Sequence, residues 1–120
     1  MEYNKDVIIN RIGINMDELI NKIEQTVSEL IQYKMSEYAV CAQELADMLI
    51  SKLPVVIGYY GDPRMQEFAS DAKYWPGQLE RIIQAFGAGD DLATIDILYN
   101  ETRANLIELR DNLTKKGILQ

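Results

Sequence analysis

Between Asn15 and Leu53 the chain contains neither glycine nor proline, and this restricts its fold more than any other feature. In a helix interior glycine costs about 1 kcal/mol and proline about 3 kcal/mol relative to alanine. A stretch this long that lacks both therefore favours helix over strands joined by turns. The apolar positions agree. Met16, Ile20, Ile23, Val27 and Leu30 return at spacings of three and four, which places them on one helical face. Asn15 followed by Glu18 predicts a capping box, and Ile14 with Leu19 a hydrophobic staple. A first helix is expected over residues 16–33, with Glu18 and Lys22 as an i,i+4 pair on its wet side.

At Tyr33-Lys34-Met35-Ser36 two readings are open: one continuous helix, or a tight turn with Ser36 capping a second helix. A single helix over 15–53 would measure about 58 Å at 1.5 Å per residue, too long for a compact domain of this size, so the turn is preferred. The second helix, 36–53, then turns Tyr38, Cys41, Ala42, Leu45, Met48, Leu49 and Leu53 inward, and Pro54 ends or kinks it. Asp62-Pro63 is a good cap and first-turn pair, predicting a short helix over 63–73. Trp75-Pro76-Gly77 interrupts again, and Pro76 opens a helix over 76–87 with Leu79, Ile82, Ile83 and Phe86 inward. Gly87-Ala88-Gly89 stops it.

The last segment, 91–114, is the most regular. Leu92, Ile95, Tyr99, Thr102, Leu106, Leu109 and Leu113 alternate spacings of three and four, an a/d seam of the bundle or coiled-coil kind. This seam is either intramolecular core or, in part, a contact with another chain. Asp90 and Asp91 at its start and Lys115 and Lys116 at its end suit the helix dipole, and Gly117 fits the position just past the end. Residues 1–14, with Val7-Ile8-Ile9, Ile12 and Ile14, are too apolar for a free tail. A short helix, an extended arm or a dimer contact would each use them. The expected fold is a single all-α domain over 1–120: an up-down bundle of four main helices with a short extra helix and an N-terminal arm.

Composition narrows the function. The chain has 120 residues, no histidine, and one cysteine, Cys41. That excludes disulfide scaffolds, Cys/His zinc sites and His-based triads, and also the Glu-x-x-His pairs of di-iron bundles. The single cysteine fits a reducing compartment. The start of the chain has no basic region followed by an apolar core, and no apolar run approaches the roughly 20 residues that span a bilayer. A cytoplasmic location is expected. Nineteen acids against twelve bases give a net charge of -7, with the bases spread evenly along the chain. Without a basic stripe, nucleic acid and anionic membranes are poor partners.

Three candidate sites remain. Glu44/Asp47 and Glu108/Asp111 are Glu-x-x-Asp pairs, whose spacing sets both carboxylates side by side on a helix, where they could share a hard divalent cation. The pairs resemble those with which all-helical nucleoside triphosphate pyrophosphatases of the MazG type hold magnesium. The plainer reading is solvated helix acids. Gly87-Ala88-Gly89-Asp90 lacks the P-loop lysine, and its aspartates would repel an anion. The aromatics Tyr59, Tyr60, Tyr74 and Trp75 cluster at the chain breaks, where such side chains either anchor a partner or plug one end of the bundle. Cys41, on an inward face without a base, reads as a buried thiol.

The runs Gly89-Asp-Asp-Leu-Ala-Thr-Ile-Asp-Ile-Leu-Tyr-Asn-Glu101 and Ser28-Glu-Leu-Ile-Gln-Tyr-Lys-Met-Ser-Glu-Tyr-Ala39 resemble small uncharacterised bacterial all-helical domains. Some of these occur near motility genes or beside glycosyltransferase modules. The resemblance implies an all-α bundle and supplies no catalytic residue and no cofactor. The expected function is a non-catalytic, cytoplasmic protein-interaction or chaperone-like module, acting on a protein partner or by self-association through Tyr59, Tyr60, Tyr74 and Trp75. The alternative is a magnesium-dependent nucleotide hydrolase using Glu44, Asp47, Glu108 and Asp111.

Overall fold

A computed structural model describes the backbone of residues 5–119 and the side chains of residues 16–119. Among these residues the chain is all-helical. Helix α1 (Lys5–Ile31) turns into α2 (Met35–Ile57). Two ion pairs tie them in antiparallel register, Lys22 to Glu44 at 2.6 Å and Lys52 to Glu18. Two 3₁₀ segments, Gly58–Gly61 and Pro63–Lys73, lead into α3 (Tyr74–Ala88). Beyond Gly89 one uninterrupted rod comprises α4 (Asp91–Ile95), a π-helical stretch (Asp96–Arg103) and α5 (Ala104–Lys115). The principal extents are 47 × 27 × 21 Å. Among the described residues no helix is long and apolar enough to cross a membrane.

One core joins all the rods. Met16, Ile20, Ile23 and Val27 from α1 meet Leu45, Leu49 and Leu53 from α2, Trp75 and Ile82 from α3, and Leu98, Leu106, Leu109 and Leu113 from the last rod. The inward faces read from periodicity in the first two helices are those observed. Arg110 also pairs with Asp17 at 2.5 Å, fastening α5 to α1.

Several boundaries differ from the sequence reading, each for a local reason. Residues 5–14 continue α1 as helix, because they contain no proline and a single glycine, too little to break the ladder; residues 1–4 of the expected arm lie outside the described residues. Asn15 is consequently inside the helix rather than at its start; its side chain and that of Ile14 lie outside the described residues. Glu18 and Lys22 do not pair with each other, since each finds an opposite charge on α2. Ser36 is not a cap: α2 begins at Met35, and no side chain caps it. Pro54 lies within α2, which runs on to Ile57, with the Gly58 N–H returning to the Pro54 carbonyl. Trp75, Pro76 and Gly77 do not interrupt. They form the first turn of α3, where backbone N–H groups have no intrahelical acceptor and proline loses nothing.

The largest difference lies in the last seam. Thr102, Leu106, Leu109 and Leu113 are buried as expected, but Leu92 is 80% exposed and Tyr99 40%. The buried positions upstream are Thr94, Leu98 and Thr102, four apart. In an α-helix at 100° per residue each step of four overshoots the face by about 40°. The π turns, which close i→i+5 hydrogen bonds, absorb that overshoot. Thr102 belongs to the arrangement: its hydroxyl donates to the Ile97 carbonyl, five residues back, at 2.8 Å.

Candidate functional site: an aromatic pocket and an apolar tip

At the end of the molecule where α3 begins, the expected aromatic cluster is assembled, but mostly as core. Tyr59, Tyr60 and Trp75 are buried, and Tyr74 is 37% exposed. Trp75 donates its indole N–H to the Tyr60 hydroxyl at 3.1 Å, which satisfies the polar tips of two buried rings at once. Tyr74 meets Trp75 edge to face, with centroids 5.1 Å apart, and its hydroxyl accepts from Asn105 Nδ2 at 2.7 Å. Burial pushes the Tyr59 phenol up to about 12, helped by Asp62. Burial likewise raises Tyr60; the Trp75 hydrogen bond lowers it, and Asp71 and Glu108 raise it.

Tyr60, Tyr74 and Trp75 wall a pocket of about 260 Å³. Phe68 and Asp71 come from the second 3₁₀ segment, Tyr74 and Trp75 from α3, and Asn105, Glu108, Leu109 and Asn112 from α5. The 3₁₀ segment is held by Asp62, whose carboxylate accepts from the Arg64 backbone N–H at 2.8 Å and from its guanidinium. Phe68, Asp71, Asn105 and Asn112 were not singled out in the sequence. A signal was present, since Asn105, Glu108, Leu109 and Asn112 follow the i, i+3, i+4, i+7 rule of a single helix face.

The two acidic pairs stay apart. Glu44 is engaged with Lys22 and Asp47 accepts from Gln43, both on α2, while Glu108 edges the pocket on α5 and Asp111 is exposed. Among the described residues, no group of three or more His, Cys, Asp or Glu side chains could hold a metal ion. Cys41 is buried. Its burial raises the thiol, Lys22 lowers it, and Glu29, Glu44 and Glu37 raise it further.

The opposite end carries a second feature that the sequence reading did not anticipate. The Lys34 N–H bonds to the Glu29 carbonyl and the Tyr33 N–H to the Leu30 carbonyl, a Schellman closure of α1. Its left-handed residue is Tyr33, at φ 56°, where glycine is usual. The Tyr33 ring is 81% exposed, flanked by Ile31 at 59% and Met35 at 48%. Tyr38, early in α2, lies beside Thr94 and within reach of the Asp91 charge. The α1–α2 turn and the start of α4 therefore share one end, where Leu92 is also exposed.

No family model matches the chain, and no curated protein or solved structure shows significant similarity to it.

Proposed function

We propose that this protein is a non-catalytic, cytoplasmic interaction module that engages a protein partner, or a second copy of itself, through the apolar tip formed by Ile31, Tyr33, Met35 and Leu92. The observation that carries this reading is Tyr33. A left-handed backbone costs a residue with a Cβ roughly 1–2 kcal/mol, and here the cost is borne by a bulky side chain that buries almost nothing in return. Strain kept at an exposed position is a pointer to function. Exposed aromatic and aliphatic groups side by side are also the usual anchors of an interface. The buried aromatics at the other end support the tip indirectly, by closing the bundle.

The test combines light scattering after size exclusion with capture from lysate, on the wild type and on Tyr33→Ser/Leu92→Ser. Self-association or a retained partner at micromolar protein is expected for the wild type and lost in the variant. Unfolding of the variant should stay within about 0.5 kcal/mol of wild type, as for other surface changes. A strictly monomeric wild type with no partner, or binding untouched by the variant, refutes the proposal.

A further inference from the structure

We infer that the pocket edged by Asp71 and Glu108 and walled by Tyr60, Phe68 and Tyr74 binds an alkylammonium group. Size sets the scale. At about 260 Å³ the space falls below the usual 300–1,000 Å³ of drug-sized sites, enough for a charged head on a short stem. Charge sets the sign. No lysine or arginine lines the pocket, whereas two carboxylates do, and both lie close enough to the Tyr60 hydroxyl to act on it electrostatically. Neither the Asp71 nor the Glu108 carboxylate takes an ion pair or hydrogen bond from another described residue, although seven other ion pairs form among those residues.

The rings supply the rest. Aromatic faces attract cations through their quadrupoles, most strongly where water is partly excluded. One wall already does so: the Lys116 ammonium, paired with Glu67, stands 5.8 Å from the centroid of Phe68. Asn105 gives its N–H to Tyr74, which leaves its carbonyl oxygen as an acceptor for an ammonium proton. An anion would meet two carboxylates here, and a neutral alcohol would leave both without a partner.

Trp75 is the only tryptophan and lines the pocket, so its fluorescence reports occupancy of the intact protein. Titration with n-butylammonium should give a saturable change that n-butanol and n-butyrate do not. Glu108→Gln and Asp71→Asn should each weaken n-butylammonium binding roughly threefold to fivefold, and Tyr74→Ala by a similar factor. Glu44→Gln, on α2, should leave it unchanged. Both pocket acids are exposed, so these variants keep the fold, which circular dichroism verifies. Nα-acetyl-lysine methylamide, titrated in parallel, separates the two sources of such a group: tighter binding than n-butylammonium assigns a lysine side chain of a polypeptide, weaker binding a free amine. An equal response to n-butanol, no response in the wild type, or full affinity in the Asp71→Asn/Glu108→Gln variant overturns the inference. Tyr33→Ser/Leu92→Ser should not alter the titration, so the pocket and the tip succeed or fail separately.

Discussion

Two helices of this molecule end in the same motif and to opposite effect. After α5 the Ile118 N–H bonds to the Leu113 carbonyl and the Gly117 N–H to the Thr114 carbonyl. This is the closure that Lys34 and Tyr33 make after α1. In α5 the left-handed residue is Gly117, at φ 74°, and the residues that follow, Ile118 and Leu119, are buried. In α1 the left-handed residue is a tyrosine, and the residue that follows is a charged lysine. One end is built to finish the core at low strain, while the other accepts strain and leaves its apolar groups in water. A shared backbone geometry thus says where a helix stops. What the stop is for depends on the side chains placed at it.

The contrast breaks most easily at the buried end. Ile118→Ala should lower the unfolding free energy by roughly 2–4 kcal/mol in urea titration, the usual cost of emptying a fully buried aliphatic site. A loss below 1 kcal/mol would show that this end is no more closed than the tip. The buried aromatics beside it give a pH signature. The unfolded chain releases its tyrosine protons near pH 10, whereas Tyr59 holds its proton to about 12. The stability from this raised value is complete below pH 10 and is lost as pH rises through that window. The loss should be on the order of 1–2 kcal/mol between pH 10 and 12, and Tyr59→Phe should reduce it. The smallest effect is the most specific. Tyr33→Gly should raise stability by roughly 0.5–1 kcal/mol by relieving the left-handed backbone, and Gly117→Ala should lower it by at least that much.

Most of the architecture was legible because periodicity survives wherever the backbone is plainly α-helical. The inner faces of α1 and α2 and the run Leu106, Leu109, Leu113 are read from spacing alone. The turn before α2 follows from length. What spacing could not show was the π stretch. Leu92 and Tyr99 continue the heptad upstream of Thr102, which is buried as its spacing predicts, but Thr94 and Leu98 take their place in the interior. Thr94 is bonded to the Asp90 carbonyl at 2.8 Å, and Thr102 accepts from buried Gln78 at 2.9 Å. Polar groups that satisfy one another in the interior are invisible to a count of apolar residues. The same blindness affected the aromatics, where composition marked the right end of the bundle but could not separate core rings from surface ones. At the tip, nothing in an isolated tyrosine announces the left-handed backbone of Tyr33.

The π stretch has one more consequence. Upstream of Thr102 the rod bears two greasy stripes one residue out of step, of which the fold uses one. Rewinding Asp96–Arg103 as plain α-helix, with every residue kept, would swing the preceding turns by about 100°. Leu92 and Tyr99 would come round to face the other rods, and Thr94 and Leu98 would leave. A spare register is thus written into this rod, held out of use by a few widened turns.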